Sequence, residues 1–171
     1  RHKDSPAIGA WILGNEYAYF DLWEPMRRYL GYDQYSVASF RAHLKKLYGG
    51  DIAALNTIWK TSYASFDAVE MPRSYPADRN FPGFHDLLQW RKQSIGGYVA
   101  FGAVAAKLHD PNHLRTYSMI GGLFGEADVH YTCEDGKTIV KACADAGALL
   151  HFWAINNYAI AALDTELRSA D

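Results

Sequence analysis

The sequence predicts an α/β protein built around a parallel β-sheet. Three short apolar runs read as strands, at residues 7–14, 114–120 and 149–155, and stretches with helical periodicity separate them. Residues 7–14 are apolar or glycine throughout, which is typical of a parallel strand covered on both faces. Strands that alternate with helices in this way define the α/β class.

The first predicted strand runs directly into the pair Asn15 and Glu16. In barrels of parallel strands the reactive groups lie where the strands end, so Glu16 is the first candidate for chemistry. The amide and aromatic residues around it suit sugar binding: Trp11, Asn15, Tyr17 and Tyr19. The alternative interpretation is that Glu16 simply opens a polar loop after a core strand.

A helical region is predicted after the first strand. The connection from Tyr17 to Gln34 is long and aromatic, and its Trp23 is a candidate platform for a sugar ring. Ser36 is expected to cap a helix that ends at Gly49 and Gly50. Asp51 is expected to cap a second, shorter helix, and residues 68–83, rich in proline and charge, are expected to form a loop.

The second half of the chain completes the predicted sheet. A long helix is expected from about Asp86 to Leu108, with the glycines at 96 and 97 marking a close packing contact. A strand at 114–120, a loop at 123–135 and a helix at 138–148 follow. The third strand, 149–155, is predicted to close on Asn156, Asn157 and Tyr158.

Composition limits the classes of function. The net charge of −2 gives no electrostatic case for binding nucleic acid or an anionic membrane. No apolar run approaches the roughly 18 residues of a membrane span. Aromatic residues make up 15% of the chain, which fits either a carbohydrate site or a large core. With 171 residues, the chain is shorter than the minimum of about 200 for a complete eight-stranded barrel, so if its strands belong to such a barrel, the chain is a piece of one.

Metal and cofactor sites are not predicted. Cys133 and Cys143 have neither metal-ligand spacing nor a disulfide framework. The histidines are scattered, and His130 near Glu126 and Asp128 comes closest to a ligand set. Nucleophile elbows, phosphate loops and dinucleotide fingerprints are missing from the sequence.

Two segments resemble known glycoside hydrolases. Residues 3–8 followed by Trp-Ile-Leu-Gly-Asn-Glu-Tyr at 11–17 resemble the fourth-strand signature of the clan of retaining glycoside hydrolases with (β/α)8, or TIM, barrels. Residues 47–59, followed by Ser-Phe-Asp at 65–67, resemble an element of the family 42 β-galactosidases and their relatives. The resemblance implies that residues 1–171 are a central part of a (β/α)8 catalytic domain, about strands four to six, with an insertion at about 17–83.

The resemblance also implies roles for individual residues. Glu16 would be the general acid/base of a double displacement, and Asn15 would bind the sugar 2-hydroxyl. The nucleophile Glu would end strand seven, beyond Asp171, and Tyr158 would lie beside it. Glu166, in a segment that reads as a loop entering a helix, is expected to be structural. No cofactor is implied, and the partners would be a carbohydrate substrate and the remaining barrel segments of the same protein.

Two other functions remain open at this stage. The first is a carbohydrate-binding or scaffold domain that keeps the barrel pattern without catalysis, since a general acid without a nucleophile cannot run a double displacement. The second is a different α/β enzyme that uses Glu16 as a base.

Overall fold

The computed structural model describes residues 2–19, 30–73, 80–120 and 133–156. It confirms the predicted α/β class with a parallel sheet. The elements in chain order are β1 (Ala10–Asn15), α1 (Gln34–Leu47), α2 (Ile52–Trp59), a 3-10 turn (Phe66–Ala68), α3 (Phe81–His109), β2 (Leu114–Ile120), α4 (Gly136–Asp145) and β3 (Phe152–Asn156).

The three strands form one sheet in the order β1-β2-β3, and both neighbouring pairs are parallel. The carboxyl ends of the strands therefore lie at the same edge of the sheet. Pairing between β1 and β2 runs regularly from Ala10 opposite Leu114 to Ile12 opposite Thr116, and resumes at Asn15 opposite Ser118. Three steps along β1 thus correspond to two steps along β2, which is a β-bulge with one extra residue.

The prediction that the first strand is buried on both faces is wrong. Ile12 is 63% exposed, and no residue of β1 falls in the buried class. The reason is its place in the sheet, because β1 is an outer strand and β2 is its strand partner in the described part of the chain. The central strand β2 is the buried one, with Arg115, Thr116, Tyr117 and Ser118 each at most 5% exposed.

By its contacts the chain divides into two units. We call residues 1–18 with 92–171 the sheet unit, and residues 19–91 the helical unit. In the sheet unit, the second part of α3 packs on α4 at Gly96, where an added Cβ would lie 3.2 Å from the carbonyl oxygen of Thr138. It packs on β1 at Gly102, where an added Cβ would lie 3.8 Å from the Cβ of Leu13. The predicted packing contact at Gly96 is therefore present.

The helical unit has its own hydrophobic core. The core joins α1, α2, the 3-10 turn and the start of α3, and its buried members are Phe40, Leu44, Leu55, Trp59, Phe66, Val69, Met71, Leu87 and Trp90. Asp51 caps α2 as predicted, because its side chain accepts a hydrogen bond from the backbone N–H of Ala53. The predicted cap of α1 is wrong: Asp33, not Ser36, accepts the backbone N–H groups of the first turn.

A buried carboxylate links three helices of this unit. Asp86, in the second turn of α3, is 6% exposed. It accepts hydrogen bonds from the Tyr48 hydroxyl at 2.6 Å and from the Trp59 indole N–H at 2.9 Å. Burial, followed by the hydrogen bond to Asp86, raises the pKa of Tyr48 to about 12.

Candidate active site

Glu16 lies directly after β1, at the carboxyl edge of the sheet. Its backbone N–H donates to the carbonyl oxygen of Ser118 on β2 at 2.9 Å, and the residue is partly exposed. Its φ of +51° is in the left-handed region, which costs a residue with a side chain about 1–2 kcal/mol. Such conformations are retained where the surrounding structure imposes them, and they concentrate at functional sites.

The bulge in β1 and Gly14 shape the chain just before Glu16. The extra residue of the bulge lies between Ile12 and Asn15, and bulges re-aim the residues that follow them. A Cβ added at Gly14 would lie 2.1 Å from the Tyr17 hydroxyl oxygen, so only glycine fits under this side chain. Tyr17 can thus fold back along the strand, and its hydroxyl donates to the carbonyl oxygen of Leu13 at 3.2 Å.

Tyr17 belongs to a cluster of three tyrosines in the sheet unit. Its ring centroid lies 4.9 Å from that of Tyr98 on α3, in an edge-to-face arrangement, and 5.3 Å from that of Tyr117 on β2. Burial, followed by the proximity of Tyr98, raises the pKa of the Tyr17 phenol. The cluster therefore holds the turn after β1 against both its neighbouring strand and α3.

Tyr117 connects this turn to a buried carboxylate. Its hydroxyl oxygen accepts the backbone N–H of Tyr17 at 2.7 Å, and its hydroxyl proton is donated to Glu134. Tyr117 is fully buried and Glu134 is 2% exposed. Burial, followed by the hydrogen bond to Glu134, raises the pKa of Tyr117 above its usual range, so its hydroxyl remains a donor at all ordinary pH values.

A second polar cluster lies at the opposite end of the strands. Asp110 accepts from the Trp11 indole N–H at 2.8 Å and pairs with His113 Nδ1 at 2.7 Å. Burial acts to raise the pKa of Asp110, but the hydrogen bonds from Trp11 and His113 outweigh it and the pKa is lowered. The amino-terminal end of parallel strands serves stability in barrels, and this cluster fits that role.

The helical unit contains a cleft of about 490 Å³, which Tyr32 and Arg73 help to line. The Arg73 guanidinium lies 5.1 Å from the centroid of the Tyr32 ring, and that of Arg91 lies 5.7 Å from it. The Tyr32 hydroxyl donates to the carbonyl oxygen of Pro72 at 2.8 Å. These contacts place two guanidinium groups within cation–π distance of the Tyr32 ring, so this part of the cleft is cationic.

The predicted site residues fall into two groups. Asn15, the last residue of β1, is exposed and lies beside Glu16 at the carboxyl edge. Trp23 and Tyr158 lie outside the described residues, as do Glu166 and His130. Within the described ranges, no group of three His, Cys, Asp or Glu side chains could hold a metal ion, and no helix is long and apolar enough to cross a bilayer.

Tyr117 and Glu134 are two residues of this site that the sequence pattern does not reveal. The pattern predicts a loop around Glu134 and a strand around Tyr117, and it predicts no contact between them. One signal was available, because a tyrosine in the middle of a buried strand needs a polar partner for its hydroxyl. Which carboxylate would supply that partner depends on the tertiary fold and cannot be read from spacing.

Solved structures resemble this chain in fold. The β-galactosidase of the Antarctic haloarchaeon Halorubrum lacusprofundi matches 92% of this chain and 21% of its own chain, with a TM-score of 0.65 and 22% identity. The apo exo-carrageenase GH42 of Bacteroides ovatus matches 74% of this chain and 16% of its own, with a TM-score of 0.61 and 18% identity. The fold is therefore that of the barrel glycoside hydrolases.

Sequence comparison identifies the family. The β-galactosidase Pbg of Clostridium perfringens is 34% identical over 101 residues, which cover 54% of this chain and 12% of that protein. The glycoside hydrolase family 42 profile, described as beta-galactosidase, matches residues 1–135. The chain belongs to glycoside hydrolase family 42, and it spans about an eighth of the length of the Clostridium relative.

Proposed function

We propose that this chain is the part of a retaining β-glycosidase that supplies the general acid/base, Glu16. The observation that carries the proposal is the position of Asn15 and Glu16 at the carboxyl end of a parallel strand, at the edge where barrel enzymes place their reactive groups. The left-handed backbone of Glu16 adds support, because the chain keeps a costly conformation there. The relatives named β-galactosidase make β-galactosides the proposed substrates.

In the proposed reaction, Glu16 first acts as an acid. It gives its proton to the glycosidic oxygen while a second carboxylate attacks the anomeric carbon, and the leaving alcohol departs. Glu16 then takes a proton from the water that hydrolyses the glycosyl-enzyme, and so returns to its starting state. Asn15 would hydrogen-bond the sugar 2-hydroxyl, a contact that strengthens as the oxocarbenium-like transition state forms.

The remaining parts of the proposal concern the whole protein. The nucleophile would be a Glu outside this chain, and β1, β2 and β3 would be strands four, five and six of the barrel. Residues 1–171 would form the central part of the catalytic domain, with an insertion at about 17–83. Trp23 and Tyr158 would contribute to the sugar site. The other barrel segments and a carbohydrate substrate would be the partners.

Glu16→Ala in the full-length enzyme tests the catalytic role. We expect kcat/KM to collapse for methyl β-galactoside, whose alkoxide leaving group needs a proton, and to be largely kept for dinitrophenyl β-galactoside, whose leaving group does not. Azide should raise kcat for the activated substrate and give β-galactosyl azide, because this anion attacks the glycosyl-enzyme in place of water, releases the enzyme carboxylate and needs no general base. Glu70→Ala, an exposed glutamate of the helical unit, is the matched control.

Two results would contradict the proposal. Equal losses for the two substrates in Glu16→Ala would remove Glu16 from acid/base catalysis. A wild-type protein that binds galactosides without releasing product would favour the non-catalytic carbohydrate-binding domain.

A further inference from the structure

Two consecutive backbone N–H groups of the turn after β1 are held by two consecutive residues of β2. The N–H of Glu16 donates to the carbonyl oxygen of Ser118 at 2.9 Å. The N–H of Tyr17 donates to the hydroxyl of Tyr117 at 2.7 Å. The first bond uses a backbone carbonyl oxygen, which any residue type at position 118 would supply. The second bond requires the hydroxyl of a tyrosine at position 117.

The Tyr117 hydroxyl can accept this N–H because Glu134 takes its proton. A carboxylate only accepts, so the hydroxyl hydrogen points to Glu134 and an oxygen lone pair faces Tyr17. Burying a carboxylate is costly unless it is hydrogen-bonded. Glu134 is 2% exposed, so its carboxylate depends on hydrogen bonds from the protein, including the one from Tyr117. This bond fixes both the position of the Tyr117 hydroxyl and the direction in which its hydrogen points.

The turn held in this way contains the left-handed residue. Glu16 has a φ of +51°. The N–H groups of the two peptide units that flank its Cα, those of Glu16 and Tyr17, are both hydrogen-bonded to β2. A strained conformation persists only where neighbouring contacts over-determine it. Losing the bond at Tyr17 would allow the backbone at Glu16 to relax and would move its carboxyl.

We propose that Tyr117 and Glu134 are positioning residues for the Glu16 carboxyl and act through the backbone of the turn that carries it. This inference rests on the proposed acid/base role of Glu16. It assigns to the Tyr117 hydroxyl a specific task, which is to hold the proton donor where it meets the glycosidic oxygen. A misplacement of about 1 Å can reduce a rate by about 100-fold, so the effect on catalysis can exceed the effect on folding.

The test uses Tyr117→Phe in the full-length enzyme and the same two galactosides. We expect kcat/KM for methyl β-galactoside to fall by about 10- to 100-fold, and kcat/KM for dinitrophenyl β-galactoside to change far less. A purely structural role would reduce both values in the same proportion, because it would lower the amount of folded enzyme. Glu134→Gln, whose amide oxygen can still accept from Tyr117, should keep most of the activity toward both substrates.

Tyr48→Phe is the matched control for loss of a buried tyrosine–carboxylate bond. Its hydroxyl binds Asp86 in the helical unit at 2.6 Å, so the variant should lower the unfolding temperature without any dependence on the leaving group. If Tyr117→Phe fails to fold, Tyr117→Phe combined with Glu134→Gln also removes the buried charge behind residue 117. The double variant should recover folding and keep the selective loss with methyl β-galactoside.

The outcomes separate this inference from the proposed function. Equal changes for both substrates in Tyr117→Phe, or no change, overturn the positioning role if Glu16→Ala still shows its dependence on the leaving group. If Glu16→Ala shows no such dependence, the proposed function itself fails, and the inference fails with it.

Discussion

Asp86→Ala is expected to destabilise the helical unit by about 1–3 kcal/mol. The side chain accepts from the Tyr48 hydroxyl at 2.6 Å and from the Trp59 indole N–H at 2.9 Å, and it is 6% exposed. Removing the carboxylate deprives both donors of this acceptor. The half-buried Tyr48 hydroxyl can turn to water, whereas the Trp59 indole N–H keeps only the Tyr48 hydroxyl oxygen, at 3.2 Å, and a poorly satisfied buried donor costs about 1–3 kcal/mol. Trp59 itself lies in the core, at 4% exposure, so water cannot replace the lost acceptor there without loosening the packing.

Hydrogen exchange of the full-length protein measures this effect locally, which avoids assuming a single unfolding transition for a large protein. The amides of α1 and α2 should exchange faster by a factor that corresponds to the free energy lost, while those of β2 keep their protection. Asp86→Asn is the control, because its amide oxygen can still accept from one donor, and we expect about half the effect. A loss below about 1 kcal/mol in Asp86→Ala would refute the view that this carboxylate holds the unit together.

Three further predictions follow from the packing and from the pKa of Tyr48. Gly14→Ala should lower the unfolding temperature and the proposed galactosidase activity, because its Cβ would meet the Tyr17 hydroxyl oxygen. Gly9→Ala, where no described atom lies within 4 Å of an added Cβ, should do neither. Gly97→Ala should stabilise α3 by about 0.5–1 kcal/mol in thermal unfolding, whereas Gly96→Ala should lose that gain against the Thr138 carbonyl oxygen at 3.2 Å. The pKa of Tyr48 in the folded protein is about 12, above the usual 10.0. The contribution of its hydroxyl to folding stability is therefore complete below pH 10 and is lost as the pH rises toward 12. Tyr48→Phe should remove this part of the alkaline decline in unfolding temperature.

Local patterns predicted most of the elements but not all their ends. The strand at 114–120 has the bounds that its apolar pattern predicts, and Asp51 caps α2 as expected. Helix α3 begins at Phe81 instead of about Asp86, because proline is tolerated in the first turn and Pro82 therefore did not mark a loop. Asp33 took the cap expected of Ser36 because its carboxylate accepts two N–H groups of the first turn.

The sequence predicts that Asn15 and Glu16 stand at the end of a strand, but it does not predict the local geometry there. The Asn15–Glu16 pair at the end of a strand follows from the residue pattern. The bulge, the left-handed backbone of Glu16 and the Tyr117–Glu134 bond do not, because each depends on the pairing of β1 with a strand about 100 residues later. The prediction of a buried first strand failed for the same reason, since an apolar run does not reveal whether its strand is central or at the edge of the sheet.

The positive φ of Glu16 has a consequence for how this family can diverge. Glycine adopts this left-handed conformation without an energetic penalty, and asparagine adopts it with a small one. For glutamate the penalty is larger. Laboratory evolution for heat resistance alone would therefore enrich Gly or Asn at this position and discard the carboxyl. If the carboxyl has the proposed acid/base role, descendants that no longer need hydrolysis would be free to make the same exchange, and a glutamate at this position would mark the copies that still hydrolyse.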